Sequence, residues 1–185
     1  MIMKKYILFC LTSIFTLSLV AQEAILSKES GINWVGVNEL PALQAKEPRK
    51  VMIDVYTSWC GPCKMMMKNT FTDKGIIDYI NANYYAVKFN AEGNEDITYK
   101  EKTYSNSKYD ASKTRGRNGT HDFASIAAVE GRLAYPTLVF MDSELNLIGP
   151  LQGYRQPDQL YPFLTFFKEE VYKKNKFDIW LECQK

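Results

Sequence analysis

Two cysteines three residues apart, in Trp59-Cys60-Gly61-Pro62-Cys63, follow directly on the compact apolar run Val51 to Tyr56. That run is rich in β-branched residues and carries a single charge, Asp54, which fits a strand buried on both faces. Residues 61–69 read as a helix, with Pro62 in its first turn, where a missing N–H is tolerated. A strand feeding a helix in this way sets Cys60 among the free N–H groups and the positive dipole end of the helix. Both favour a thiolate, the form that attacks disulfides. Cys63 lies one turn further in, more shielded, within reach to resolve a mixed disulfide on Cys60.

Two other uses of the pair are weaker. Zinc needs four ligands, and the remainder of the chain offers only distant cysteines and one histidine, His121. A purely structural bridge across two residues closes almost no loop and stabilises little. His121 is also the one residue on which a cysteine–histidine hydrolase could rest, and the motif context for such an enzyme is missing.

The N-terminus predicts export. Met1 to Lys5 carries two lysines and no acid, Tyr6 to Val20 is apolar or small, and Ala21 precedes polar Gln22. Residues 1–21 therefore read as a cleavable signal peptide, with an uncleaved membrane anchor as the alternative. The apolar run of about 15 residues falls short of the ~20 that a spanning helix requires. Removing the segment takes Lys4, Lys5 and Cys10 with it, and leaves 21 basic against 21 acidic residues. A neutral chain without a basic stripe is a poor nucleic-acid binder. Cys60, Cys63 and Cys183 remain, in an oxidising compartment where stray thiols are a liability. Cys183, near Trp180 and Leu181, reads as a buried or idle thiol, with a third redox cysteine as the other possibility.

Residues 22–185 read as one domain of alternating elements. Ile32, Trp34, Val37, Leu40 and Leu43 are spaced for a short helix punctuated by Pro41 and Pro48. A second helix follows Asp73 through Ile76, Ile77 and Ile80, and Tyr84 to Asn90 is the next strand. Residues 121–130 predict a short helix ended by Gly131. Thr137 to Met141 is a strand, with Leu147 to Tyr154 its antiparallel partner across the turn Asp142 to Asn146. The last helix starts near Asp158 or Tyr161 and ends at Lys173, Lys174 and Lys176, with Pro162 in its first turn.

Residues 92–120 break the alternation. They are polar, dotted with Tyr99, Tyr104 and Tyr109, and too long for a plain connection. Two readings stand: a mobile surface loop, or an insertion that contacts a partner through its tyrosines. Asn118-Gly119-Thr120 matches a glycosylation triplet. Asp54 also has two readings. A carboxyl buried in an apolar strand titrates upward and could accept the proton of Cys63. Otherwise it is a strand-end aspartate bound to backbone or to Lys88.

At these residues the chain resembles the thioredoxins. Trp59 to Cys63 is similar to their active-site motif, and Ile53 to Tyr56 to the strand that carries their buried aspartate. Val87 to Asn90 resembles the next central strand with its lysine. Tyr135-Pro136-Thr137 is similar to the loop whose proline is cis and faces the dithiol, and Gly153 to the glycine of the last strand. Val51 to Asn90, with Lys68 to Asp73, resembles in particular the periplasmic C-terminal domain of the thiol:disulfide interchange protein DsbD and small exported relatives.

The resemblance spans about residues 50–170. It implies an α/β thioredoxin fold: a central mixed β-sheet flanked by helices, here with an insertion before the cis-proline strand. It implies Cys60 as attacking thiol, Cys63 as resolving thiol, a redox-active Cys60–Cys63 disulfide, Asp54 as proton acceptor and Lys88 tuning it. Trp59, Gly61, Pro62, Tyr135 and Pro136 would shape the substrate groove. No cofactor or metal is implied. The expected activity is a periplasmic thiol–disulfide oxidoreductase, most simply a reductase of disulfides in exported proteins. A membrane donor of the interchange type would recharge it. Oxidase or isomerase action, or a binding or chaperone-like module using residues 92–120, are the alternatives. The insertion and a tail of about residues 175–185 depart from the family pattern.

Overall fold

The structure, a computed structural model, describes residues 31–183. The expected signal peptide lies outside the described residues. Among these residues no helix is long and apolar enough to cross a membrane.

The central sheet is assembled from β1 (Trp34–Val35), β2 (Lys50–Tyr56), β3 (Tyr84–Asn90), β6 (Thr137–Met141) and β7 (Leu147–Gln152). Their order is β1-β3-β2-β6-β7. β3 runs parallel to β1 and β2, whereas β6 and β7 are antiparallel to their neighbours. Parallel β2 and β3 need a crossover, and two helices supply it, α2 (Gly61–Asn69) and α3 (Lys74–Asn83). The Asp73 side chain accepts from Ile76 N at 3.0 Å and caps α3. β2 is central and buried from Val51 to Val55, as its unbroken apolar run requires.

Strand alternation sorts the core into two clusters. Val51, Ile53 and Val55 join Val37, Leu40, Phe89 and Phe123 in one. Met52 joins Met66, Ile76, Ile80, Leu138 and Leu164 in the other, among the helices. Asp54 shares the strand parity of Met52, and Lys88 is its register partner on β3.

Several elements differ from the sequence reading, each for a packing reason. Trp34 lies on edge strand β1, with its ring edge-on to Phe71 at 5.1 Å, and the predicted first helix is α1 (Leu40–Lys46) behind a 3-10 turn. Residues 122–127 form a 3-10 helix, and Gly131 (φ +75°) turns the chain between Val129 and Arg132 instead of ending a helix. Pro150 sits in β7, at the sheet edge, where a missing donor is tolerated. The last predicted helix is shorter, its end replaced by a 3-10 turn at Val171–Lys173, and the predicted tail holds a helix of its own. α4 (Pro157–Lys168) stops before Glu170, at φ +58°, and α5 (Phe177–Glu182) folds back. Pro162 is past the first turn of α4, and the Asp158 carbonyl that it leaves unbonded belongs to an exposed residue. The tail is stacked on α4, with the rings of Phe163 and Phe177 3.8 Å apart and Trp180 5.6 Å from Phe166. Cys183 is exposed, contrary to the buried reading.

The insertion is the largest correction. It is neither bare loop nor loosely attached. It holds a hairpin of β4 (Ile97–Tyr99) and β5 (Lys102–Tyr104), and Ile97 is buried. Tyr99 and Tyr104 both pack edge-on against Phe123, each at 5.5 Å. Two of the tyrosines offered for partner contact therefore belong to the domain's own core. Asn106 clamps the carbonyls of Gly93 and Gly119 at 2.8 and 2.7 Å, closing the two ends of the segment. Gly119 is required there, because a Cβ would meet the Lys108 carbonyl oxygen at 2.2 Å. His121 is buried beneath. Its Nδ1 accepts from Phe123 N at 3.1 Å, so Nε2–H donates to the Glu95 carbonyl at 2.9 Å. The Asn118 amide is spent on Asp110 and Gly119, inside the insertion.

Candidate active site

Cys60 is the residue before α2, and its backbone is still extended. The chain leaves β2 at Tyr56, turns through a Cys60 N–H···Thr57 O bond of 3.2 Å, and enters the helix with Pro62 in its first turn. The first turn leaves its N–H groups without helical acceptors. One of them, Cys63 N, donates to Cys60 Sγ at 3.1 Å. The two sulfurs are joined in a disulfide, with Cα atoms 5.3 Å apart. A reduced Cys60 keeps that donor, which stabilises its thiolate.

Neither sulfur stands out from the surface. Cys60 is 2% exposed and Cys63 5%, so the expected contrast between an exposed first cysteine and a shielded second is absent as such. The contrast lies in where each opens. Cys60 lies at a cleft of about 400 Å³, with Trp59, Gly61, Pro62 and Tyr135. Cys63 lines a separate cleft, also about 400 Å³, with Tyr56, Met67 and Lys88. Trp59, Gly61, Pro62 and Tyr135 are thus brought together around Cys60. Pro136 is buried behind them. Its bond to Tyr135 is cis, and its carbonyl accepts from Gly153 N at 2.8 Å.

Asp54, 2% exposed, is tied to the second cleft through Lys88, which lines it. Lys88 Nζ donates to its Oδ2 at 2.6 Å, while Oδ1 has no protein partner. Burial pushes the Asp54 carboxyl above its usual range, and Lys88 opposes the shift by its charge and its hydrogen bond. Lys88 is itself held in a cage, 4.3 Å from the Tyr56 ring centroid, 5.0 Å from that of Trp34, and 3.0 Å from Met67 Sδ. Asp54 thereby combines its two sequence readings, being both a buried carboxyl and a partner of Lys88. The oxygen without a partner is the one free to take a proton.

Sequence reasoning did not assign six residues of the first cleft to the site, Glu92, Arg117 and Asn118 with Thr120, Leu133 and Ala134. Glu92 Oε2 accepts from Trp59 Nε1 at 2.9 Å and from Asn118 N at 3.0 Å, which ties the motif tryptophan to the insertion. The Arg117 guanidinium carbon lies 4.6 Å from the Trp59 ring centroid, and Tyr135 meets that ring edge-on at 6.0 Å. Burial, and then the charge of Glu92, raise the Tyr135 hydroxyl above its ordinary value. Glu92 could have been suspected, since it is two residues past β3. Nothing in the sequence marks Arg117.

Known proteins can be set against this geometry. The sequence matches the profile of the thioredoxin-like domain over residues 37–168. Among curated proteins none matches. Among solved structures, a thioredoxin-fold protein from Helicobacter pylori is similar at 19% identity. It aligns over 84% of this chain and 88% of that one, with a TM-score of 0.54. A DsbH oxidoreductase aligns over 75% and 85%, at 12% identity and a TM-score of 0.50. The reduced C-terminal domain of DsbD from Neisseria meningitidis aligns over 69% and 90%, at 15% identity, with a TM-score of only 0.45. At such identities the likeness speaks for the fold alone. The profile match covers well over half of the sequence, the sheet order is in place, and a close cysteine pair heads α2. The chain belongs to the thioredoxin-like domain family.

Proposed function

We propose that the chain is an exported protein-disulfide reductase. The observation that carries the reading is the Cys60–Cys63 pair at the head of α2. Cys63 N donates to Cys60 Sγ, and Lys88, paired with buried Asp54, lines the cleft onto which Cys63 opens. In the reduced protein the Cys60 thiolate attacks one sulfur of a substrate disulfide. A Cys60–substrate disulfide forms and the other substrate sulfur leaves as a thiolate, which takes a proton. Cys63 then loses its proton, which Asp54 can accept, and attacks Cys60 Sγ. The second substrate thiol is released and the protein is left with the Cys60–Cys63 disulfide. Two electrons pass from protein dithiol to substrate disulfide.

The direction rests on the motif. Gly61-Pro62 places no cation between the cysteines, so the thiolate is stabilised mainly by the helix N-terminus. That supports a reducing potential, about −200 to −280 mV, near thioredoxin and far from the strong oxidants near about −120 mV. Export rests on residues 1–21, and an oxidising compartment would drain such a reductase. A membrane donor that passes electrons outward by dithiol exchange would then recharge it. Equilibration of the protein lacking residues 1–21 with glutathione buffers tests the reading. A potential above about −150 mV would replace reductase with oxidase or isomerase.

A further inference from the structure

The insertion places a cation where a substrate must pass. Arg117 borders the same cleft as Cys60, its guanidinium carbon over the Trp59 ring at 4.6 Å from the centroid. Its position is set by the next residue. Asn118 N is bonded to Glu92, and the Asn118 side chain grips Asp110 on both its N–H and its carbonyl. Among the described residues Arg117 takes part in none of the ion pairs. Glu92, the nearest acid of the cleft, is instead occupied by the Trp59 indole and the Asn118 amide. A guanidinium held over an aromatic ring still has N–H groups to offer, and a carboxylate can take two of them at once. Leu133 to Tyr135, which also line the cleft, are uncharged. A polypeptide crossing the cleft to reach Cys60 therefore passes one unpaired positive group.

We propose that Arg117 is a specificity-determining residue. It selects disulfide-bearing polypeptides that carry an acidic side chain next to the cysteine under attack. This rests on the oxidoreductase reading, and it narrows the substrate class for that same site. It also accounts for the docking of the insertion on the domain, since a recognition group must hold its place relative to Cys60.

The test uses two synthetic peptides, each with one internal disulfide, identical except for glutamate or glutamine on both sides of one cysteine. The reduced protein is mixed with each, and released peptide thiol gives the second-order rate constant. The readout is the ratio of acidic to neutral peptide within each variant, so a general change in activity cancels. The unsubstituted protein should favour the acidic peptide by about three- to fivefold, the range of an exposed ion pair. High salt should shrink that preference. R117Q should bring the ratio to about one, R117K should retain part of it, and R117E should invert it. A ratio of one in the unsubstituted protein, or an unchanged preference in R117Q, overturns the proposal and leaves the reductase reading standing. Reduction of neither peptide overturns the reductase reading and the proposal with it.

Discussion

The two clefts beside the CxxC turn are built by different means. The Cys63 cleft is made from the central sheet and α2. Lys88 reaches it from β3, Met67 from α2 and Tyr56 from the end of β2. The Cys60 cleft borrows a wall, because Glu92, Arg117 and Asn118 belong to the insertion. One side holds a buried carboxylate beside a caged lysine, which suits moving a proton. The other holds a tryptophan fastened between a carboxylate and a guanidinium, which suits contacting a chain. On the proposed function, the difference teaches that the chemical step would depend on strand register, and partner choice on a segment that the sheet does not need for its own pairing.

The sharpest break in that comparison comes from the cysteines. Cys60→Ser should abolish disulfide reduction, and Cys63→Ser should accumulate mixed disulfides with substrate, seen on non-reducing gels. Trapping by Cys60→Ser and none by Cys63→Ser would exchange the roles of the two clefts.

Next in size is the anchoring of the insertion. Phe123 is fully buried beneath Phe89, Tyr99 and Tyr104, so Phe123→Ala should lower unfolding free energy by about 3–5 kcal/mol in urea titrations. Excision of 92–120, which strips Ile97 and both tyrosines from the same cluster, should unfold the domain or nearly so. A deletion that folds and keeps full stability would make the wall a separable attachment.

The Cys63 side is sharpened by pH. The Asp54 carboxyl is raised in the folded state by burial, so the folded protein binds its proton more tightly than the unfolded chain does. Stability from this group is therefore highest at acid pH. It declines as pH climbs past the ordinary carboxylate value and levels off above the raised one. Asp54→Asn should remove that decline, hold the fold at neutral pH and slow turnover there. Denaturation midpoints of both proteins from pH 4 to 9, set beside rates of disulfide reduction, check this. Parallel pH profiles of stability and unchanged turnover would leave Asp54 a structural partner of Lys88 only.

The smallest effect is expected at the link between motif and insertion. Glu92→Gln keeps an oxygen that can accept both bonds but loses the charge that strengthens them, so about 0.5–1.5 kcal/mol should be lost, together with a change in Trp59 fluorescence. An unchanged spectrum would show that Glu92 does not hold Trp59.

Much of the site was legible because it is local. The CxxC spacing, the strand before it and the proline in the first turn reside within Val51 to Asn69, and short-range geometry follows from short-range sequence. The Asp54–Lys88 pairing was one of the two readings the sequence offered, and the β2–β3 register is what sets the two side chains opposite each other on one face. The element edges that the sequence missed, at Gly131, Pro162 and Glu170, are places where a turn type or a neighbouring ring decides. No periodicity reports those.

By itself, then, the sequence determined a buried strand feeding a helix and a dithiol at that helix start, with a carboxyl in the strand six residues before it, because residues close in the chain carry that information. Tertiary structure alone decided that 92–120 is docked and that Tyr99 and Tyr104 pack against the core. It also decided that both sulfurs are sheltered and that Arg117 stands over Trp59. Residues 59 and 117 meet only because Asn106, His121 and Phe123 fold a polar segment back onto the sheet. Such long-range closure follows from burial and hydrogen-bond satisfaction across the whole domain, and no local pattern encodes it.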